Sequence, residues 1–399
     1  MQDWQEPIAL FGRTCSRPQT ERVFGIKYRD RFAHMYVVGK TGTGKTTLLE
    51  TLVAQDIHAG HGVTLIDPHG DYVDRLAASI PAHRQRDLLY FNVPDPNQPF
   101  GYNPLTRVPA HLRPLVAAGQ LEILKKAWAD SWGQRLEHIL RNALLALMEQ
   151  REATLHDVLR LLSDRQYRST VVANVNNERV KAFWTDEYAK YPPRLRSEAI
   201  VPIQNKVGAF LADPTMNRVL TNPQKPLRLR QIMDERKILL VNLARGQIGE
   251  DAAHLIGGFM ITALGLAAYS RSSLPESDRK PHFLFVDEFQ NFTTLSVANM
   301  ISELRKYKVG LVLANQYLTQ VEPQIRDAVL GNAGSLISFR LSGKDAPYLA
   351  REFAPAFSAT DIINLGNFHI YLRLMIDGTP SRPFSATTIT PSEAERLRY

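Results

Sequence analysis

Residues 39–47 have the types and the spacing of a phosphate-binding loop. Their sequence, GKTGTGKTT, contains the complete pattern GxxxxGKT. Its glycines allow backbone N–H groups to surround an anion, its lysine can reach the β and γ phosphates, and the threonine after that lysine can coordinate Mg²⁺. The predicted nucleotide-binding residues are Gly39, Lys40, Thr41, Gly42, Thr43, Gly44, Lys45, Thr46 and Thr47, with Lys45 also catalytic and Thr46 a metal ligand. Because kinases, GTPases and motors share such a loop, it predicts a nucleotide without naming the reaction.

Two carboxylates follow an apolar run in HFLFVDEFQ, residues 282–290. We expect Asp287 to hold Mg²⁺ through water and Glu288 to polarise the attacking water as general base. An acidic pair after a strand is often only the start of a loop, but a phosphate-binding loop in the same chain favours the catalytic role. The sequence therefore predicts both halves of a site that hydrolyses a nucleoside triphosphate.

Polar residues also follow two other apolar runs. In GLVLANQY, Gln316 is predicted to sense the γ phosphate or to orient the water, and a structural amide that caps the next helix is the alternative. In LIDPHGD, we expect Asp67, His69 and Asp71 to form a turn at the same sheet edge, where parallel α/β sheets bind ligands. No second His or Cys stands at ligand spacing from His69, so this turn either supports the nucleotide site or is purely structural.

The composition restricts the class of protein. The 399 residues are 44% hydrophobic, which is enough for one large or two moderate globular units. The single cysteine, Cys15, excludes a disulfide framework. The longest apolar run, residues 255–268, is shorter than the ~20 residues of a membrane-spanning helix, and no transmembrane segment is predicted. A net charge of +8 and a pI near 9.5 favour an acidic partner such as nucleic acid.

The order of the patterns predicts an α/β protein with an inserted helical domain. A β-branched run at residues 36–38 indicates a buried strand, and apolar residues at helical spacing follow from Lys45 to about Ala59. Strand-like segments continue to residue 93 and resume at residue 237. Residues 105–235 between them have helical spacing and contain 20 Lys and Arg against 14 Asp and Glu. We predict an N-terminal segment at 1–30, an ATPase core at 31–104 and 236–399, and an all-helical insert at 105–235.

The motifs GKTGTGKT, IDPHGD, FVDEF and ANQ occur in this order, with the helical insertion between the second and the third. Together they resemble the HerA/FtsK superfamily of hexameric ATPases. Within it, residues 24–385 are most similar to conjugative coupling proteins of the TraG/TraD type and to their soluble HerA-like relatives. The N-terminal membrane helices of typical coupling proteins and the N-terminal β-barrel of HerA have no counterpart in the sequence.

The resemblance implies a RecA-like P-loop core with a mainly parallel sheet flanked by helices. It also implies a homo-hexameric ring with ATP and Mg²⁺ at the subunit interfaces and single- or double-stranded DNA in the channel. A trans-acting catalytic arginine is expected on the short helix before the Gln316 strand, where Arg305 lies. Arg31 and Arg340 are alternatives, and a surface arginine in the basic run RKYK is the structural interpretation of Arg305.

These expectations favour an ATP-hydrolysing ring motor that translocates DNA in conjugative transfer, type IV secretion or a related mobile-element system. Lys125, Lys126, Arg135 and Arg245 are candidate DNA contacts, although a solvated helix surface explains such charges equally well. A protein-secretion or pilus-assembly ATPase and a HerA-like ATPase or scaffold that works with a nuclease are the alternatives. We expect a relaxase, a secretion complex or a nuclease as partner, and a cytoplasmic location that a partner could make peripheral to the inner membrane.

Overall fold

The structure of the chain is a computed structural model that describes residues 7–15, 21–106, 108–221 and 223–397. It divides into two compact units, each assembled from segments that are distant in sequence. The sheet unit is drawn from Met1–Asn92, Leu229–Ala244 and Ala267–Tyr399. The helical unit is drawn from Val93–Arg228 and Arg245–Leu266.

The strands are short segments in which β-branched and aromatic residues are frequent, as expected for strands. In the described residues they are β1 (Ile8–Thr14), β2 (Val23–Lys27), β3 (Met35–Val38), β4 (Gly62–Asp67), β5 (Leu88–Asn92), β6 (Phe100–Gly101), β7 (Lys225–Pro226), β8 (Ile238–Asn242), β9 (His282–Val286), β10 (Val309–Asn315), β11 (Ser335–Ser338), β12 (His369–Arg373), β13 (Met375–Ile376), β14 (Thr379–Pro380) and β15 (Phe384–Thr388).

Eleven of these strands form one sheet in the order β2-β1-β15-β12-β11-β3-β10-β9-β4-β8-β5. From β11 to β5 in that order the neighbours are parallel, whereas β12, β15, β1 and β2 continue the sheet with antiparallel pairing. The predicted α/β fold with a mainly parallel sheet is confirmed. Because the central strands are parallel, the segments that follow β3, β4, β9 and β10 meet at one edge of the sheet.

The α-helices in the described residues are α1 (Lys45–His58), α2 (Asp71–Ala78), α3 (Arg113–Ala127), α4 (Gln134–Leu147), α5 (Leu155–Ser163), α6 (Arg165–Ala173), α7 (Glu178–Ala182), α8 (Pro193–Ala212), α9 (Pro214–Thr221), α10 (Leu229–Asp234), α11 (Arg245–Ile248), α12 (Glu250–Ser270), α13 (Leu295–Leu304), α14 (Pro323–Asn332), α15 (Ala346–Glu352), α16 (Ala359–Ile363) and α17 (Pro391–Arg396).

The core of the sheet unit lies on both faces of the parallel strands. Every residue of β3, β4, β8, β9 and β10 is buried, which is typical of parallel strands covered on both sides. Helix α1 adds Leu48, Leu49, Leu52 and Val53, all fully buried, at the helical spacing that the sequence predicts. The loop between β3 and α1 is therefore fixed at both ends by buried elements.

The helical unit contains most of the predicted insert. Its core is formed by apolar side chains such as Leu140 of α4, Leu161 of α5 and Ile203 of α8, which are almost completely buried. The unit begins at Val93 and also takes in Arg245–Leu266, whereas Leu229–Ala244 belongs to the sheet unit. Periodicity identifies helices but not the unit into which each one packs, and the domain limits at residues 105 and 235 stay predictions.

One helical stretch in the described residues, Glu250–Ser273, is long and apolar enough to cross a membrane by length and composition. Of its most apolar window, 78% is buried inside the protein. Such burial is also found for core helices, and this stretch is therefore weak evidence for a membrane span.

Candidate nucleotide-hydrolysis site

The phosphate-binding loop connects β3 to α1, as predicted. Gly42 and Gly44 have φ angles of 75° and 117°, in the left-handed region that disfavours a side chain. A Cβ atom at Gly39 would lie 2.4 Å from the Cβ atom of Phe339. The N–H of Gly39 donates a hydrogen bond of 3.2 Å to the carbonyl of Asn315 at the end of β10. Thr41 and Gly42 are exposed, and Gly44 directly precedes α1, so the loop presents the N-terminus of a helix, a structure that binds anions.

Lys45 lies inside this loop and is buried. Its ammonium group donates hydrogen bonds to the carbonyl of Gly39 and, at 3.2 Å, to that of Lys40. Burial lowers the pKa of Lys45, while the nearby carboxylates of Asp287 and Glu288 raise it. The cation of the loop and the acidic pair after β9 are thus close enough to interact, as the sequence predicts for two halves of one site.

The acidic pair lies at the end of β9, and both side chains are only 8% exposed. The N–H of Asp287 donates a hydrogen bond of 3.1 Å to the carbonyl of Ile66 in β4. Burial, together with the nearby carboxylates of Glu288 and Asp67, raises the pKa of Asp287 to about 7, although Lys45 and the hydrogen bond from the N–H of Glu288 lower it. Glu288 has a φ angle of 46°, a left-handed conformation that is uncommon for a residue with a side chain and that recurs at functional sites.

Gln290 connects Glu288 to the end of β10, and sequence reasoning missed this contact. Its side-chain N–H donates to the carboxylate of Glu288, and its Oε1 accepts a hydrogen bond of 2.9 Å from the amide of Asn315. The carbonyl of Asn315 is also the acceptor for the N–H of Gly39. A continuous path of hydrogen bonds therefore joins Glu288 to the phosphate-binding loop. The sequence shows a glutamine two residues after Glu288 but gives no sign of its partner, 25 residues further along the chain.

Gln316, directly after β10, lies beside the phosphate-binding loop. Its side-chain amide donates a hydrogen bond to the hydroxyl of Thr41. This contact places the amide next to the loop rather than on the following helix. The predicted neighbourhood of Gln316 is therefore observed, while its role toward a γ phosphate stays a prediction.

The turn after β4 lies at the predicted edge of the sheet, and its hydrogen bonds support the structural interpretation. The Asp67 carboxylate accepts N–H bonds from His69 at 2.8 Å, Tyr72 at 3.2 Å and Val73 at 3.3 Å. Asp67 thereby caps the N-terminus of α2. His69 and Asp71 are exposed on this turn.

Two of the three candidate arginines lie away from the loop. The guanidinium of Arg31 is buried and forms a bidentate ion pair with Asp56, one bond of which is 2.8 Å long, so it is not available to another chain. Arg305 is exposed, immediately after α13 and before β10 begins at Val309. Gln316 and the phosphate-binding loop lie at the end of β10, whereas Arg305 lies before its start. Arg305 is therefore at the other edge of the sheet from the loop of its own chain.

Arg340, which follows β11, lies next to the loop of its own chain. Its carbonyl accepts a hydrogen bond of 3.0 Å from the N–H of Lys40. Its guanidinium donates to the side chain of Asn367 at 3.0 Å and to the carbonyl of Leu365 at 3.4 Å. These bonds hold the turn before β12 beside the phosphate-binding loop.

A parallel sheet that brings a phosphate-binding loop, a buried acidic pair and a polar strand end to one edge is the arrangement of a RecA-like P-loop NTPase. The sequence profile of the type IV secretion-system coupling protein DNA-binding domain matches residues 23–353. This match covers most of the chain, and the chain belongs to that family. The predicted resemblance to conjugative coupling proteins of the HerA/FtsK superfamily is confirmed.

Solved structures show the same fold. A plasmid coupling protein, TrwB, in complex with the non-hydrolysable GTP analogue GDPNP has a TM-score of 0.68 at 16% identity, over 97% of this chain and 96% of that one. TrwB in complex with ADP and Mg²⁺ has a TM-score of 0.68 at 15% identity, over 98% and 97%. VirB4 of Thermoanaerobacter pseudethanolicus has a TM-score of 0.65 at 14% identity, over the full length of both chains. No curated protein matches the chain.

Proposed function

We propose that the chain is an ATP-hydrolysing motor that binds DNA and moves it in a conjugative transfer or type IV secretion system. The observation that carries this proposal is the meeting of Lys45, the pair Asp287 and Glu288, and Gln316 at one edge of the sheet. Membership of the coupling-protein family supports DNA as the substrate and argues against the two alternative functions.

The site residues divide the reaction between binding and chemistry. Lys45 and the loop N–H groups hold the β and γ phosphates, Glu288 takes a proton from the attacking water, and Gln316 orients that water or contacts the γ phosphate. Gln290 holds the carboxylate of Glu288 in place. The arrangement requires no covalent intermediate, because positioning and charge stabilisation account for most phosphoryl-transfer catalysis.

Thr46 and Asp287 are the residues that would hold Mg²⁺. A hydroxyl and a carboxylate are the oxygen ligands that this ion takes, together with waters and phosphates of the substrate. In the part of the chain that the structure describes, no group of three or more His, Cys, Asp and Glu side chains could hold a metal. The ion would be shared with the phosphates of the nucleotide, whose charge it would neutralise.

Assembly into a homo-hexameric ring would complete the site. Arg305 lies at the edge of the sheet opposite its own phosphate-binding loop, so as a catalytic group it would serve a site in another copy of the chain. An arginine supplied in trans would stabilise the charge that develops on the γ phosphate. With a relaxase or a secretion complex as partner, such a ring would work in the cytoplasm, peripheral to the inner membrane.

DNA binding would be electrostatic and largely independent of sequence. The net charge of +8 supplies a general attraction to phosphates. Lys125, Lys126 and Arg135 are exposed on the helical unit, and Arg245 is half-buried at the start of α11. Affinity for mixed-sequence DNA should fall steeply between low and moderate salt, because cations released from DNA drive such binding.

The proposal is tested by the ATPase rate without DNA, with single-stranded DNA and with duplex DNA, alongside the mass of the protein in solution with and without nucleotide. A DNA-stimulated rate in an assembled ring supports a DNA motor. A rate that DNA does not change would favour a protein-secretion ATPase. A nucleotide-switched scaffold would be favoured if turnover is very slow and if Glu288→Gln still binds the partner.

A further inference from the structure

Phe368 is an exposed aromatic residue that lies against the phosphate-binding loop. Its ring belongs to the turn before β12, and 48% of the residue is exposed. A Cβ atom at Gly44 would lie only 2.8 Å from Cδ1 of this ring. Phe368 thus packs on the glycine at the start of α1, while about half of the residue is open to solvent.

The backbone holds Phe368 in this place at an energetic cost. Its φ angle is 64°, in the left-handed region that few residues with a large side chain adopt. Two backbone hydrogen bonds keep it there, from its N–H to the carbonyl of Thr43 at 2.8 Å and from the N–H of Thr388 to its carbonyl at 2.9 Å. Arg340, bonded to Asn367, fixes the same turn. A strained conformation that several contacts maintain, and that exposes an apolar ring, points to a functional contact.

The strand order shows which part of a nucleotide would reach this ring. The loop follows β3, and Glu288 follows β9, two strands away on one side. Phe368 precedes β12, two strands away on the other side. Because β12 is antiparallel to β11, its start lies at the same sheet edge as the end of β3. At the usual spacing of strands, Glu288 and Phe368 are each about 10 Å from the loop strand, in opposite directions.

We propose that Phe368 is the stacking surface for the nucleobase of the bound nucleotide. This inference rests on the proposed function, since Glu288 and Mg²⁺ act at the γ phosphate and the base is at the opposite end of the molecule. With the terminal phosphate directed toward Glu288, the base extends toward Phe368. Aromatic stacking accepts any base because every base has a π face, so the site should bind ATP and GTP with similar affinity.

The experiment compares two triphosphate ligands, of which only ATP contains a nucleoside. Affinities for ATP and for inorganic tripolyphosphate, each with Mg²⁺, are measured by calorimetry for the wild type, Phe368→Ala and Phe368→Tyr. Ile376→Ala removes a side chain of the same exposure from the same unit and is the matched control. The mass of each variant in solution is recorded under the same conditions.

We expect Phe368→Ala to weaken ATP binding about tenfold or more, the scale of one lost base–aromatic stack, and to leave tripolyphosphate binding unchanged. Phe368→Tyr and Ile376→Ala should bind both ligands like the wild type. In Phe368→Trp, added ATP should quench the new tryptophan emission, and tripolyphosphate should not.

Three results with Phe368→Ala would overturn the inference. ATP affinity that Phe368→Ala does not change would exclude stacking, and equal loss of both ligands would make Phe368 a support of the loop. If Phe368→Ala loses affinity for ATP and also no longer assembles, Phe368 is a contact between subunits. If the wild type binds both ligands and Phe368→Ala binds ATP normally, the stacking inference fails but the proposed function stands. If the wild type binds neither ligand, the stacking inference and the proposed function are both refuted.

Discussion

The side-chain amide of Gln290 donates a hydrogen bond to the carboxylate of Glu288. Through Asn315, the same amide is connected to the backbone of the phosphate-binding loop. The side chain that contacts Glu288 is therefore linked by hydrogen bonds, through Asn315, to the phosphate-binding loop.

Gln290→Ala should lower kcat about 10-fold and leave the affinity for ATP unchanged. Gln290 does not touch the substrate, so its loss should cost less than the ~10²- to 10⁴-fold contribution of a general base. Gln290→Glu, which cannot donate when ionised and places a second carboxylate beside Glu288, should lower kcat at least as much as the alanine variant. Steady-state kinetics and ATP titrations separate the two effects, and equal losses of affinity and kcat would contradict a positioning role.

Lys45→Ala and Glu288→Gln should fail in different ways. Lys45 contacts phosphate in the ground state, and its loss should abolish nucleotide binding. Glu288→Gln should bind ATP normally but stop turnover, because a carboxamide cannot accept the proton from water. Binding and single-turnover assays distinguish the two variants. Near-normal hydrolysis by Glu288→Gln would refute the assignment of the general base.

Arg305→Ala should bind ATP but lose ~10³-fold or more in turnover, the scale of arginine fingers. Mixing it with Glu288→Gln should restore some activity, because mixed rings contain interfaces with one intact Glu288 and one intact Arg305. Lys306→Ala is the matched control, since Lys306 is an adjacent exposed cation that pairs with Glu303 at 2.7 Å. If mixtures that are proven to co-assemble stay inactive, Arg305 is not the trans-acting group.

His34 should make the fold less stable in acid. Its Nε2 lies 2.7 Å from the carbonyl of Ile301 and its Nδ1 accepts the N–H of Leu311 at 3.2 Å, which fits a neutral ring. Burial and, to a smaller extent, the nearby Arg305 lower the pKa of His34 to about 4, against an increase from the hydrogen bond to the carbonyl of Ile301. The unfolded chain, with a histidine pKa near ~6.5, binds the proton more readily, so the stabilisation present above that pH is lost as the pH falls toward 4.

Denaturant unfolding of the wild type and of His34→Gln between pH 7 and pH 4.5 measures this effect. The wild-type free energy of unfolding should fall more steeply, by up to about 1.4 kcal/mol per pH unit for one proton. The overall destabilisation of the variant does not affect the comparison of slopes. Parallel slopes for the two proteins would show that His34 is not responsible.

The sequence predicts the parts of the fold and site that depend on local patterns. Glycine spacing identifies the loop, and the apolar run before Asp287 identifies β9, since both signals lie within about ten residues. The contacts of Gln290 and Phe368 are not found in this way, because their partners, Asn315 and Gly44, lie far along the chain. Arg31 is a candidate trans-acting arginine by sequence for the same reason: its ion-pair partner, Asp56, lies 25 residues along the chain and is identified only by the fold.

The sequence also could not assign helices to units. Helix α12 has the apolar pattern of any buried helix, yet most of it belongs to the helical unit although it follows a strand of the sheet unit. The four antiparallel strands that extend the sheet come from both ends of the chain. Such pairings depend on long-range packing, which periodicity along a single segment does not encode.

The central claim, that ATP hydrolysis moves DNA, is tested most directly by displacement of streptavidin from the biotinylated end of a DNA. The wild-type ring with ATP and Mg²⁺ should release streptavidin, from single-stranded or duplex DNA. A non-hydrolysable ATP analogue and Glu288→Gln with ATP should bind the same DNA without releasing it. ATP hydrolysis that DNA stimulates, with no displacement from either kind of DNA, would contradict translocation.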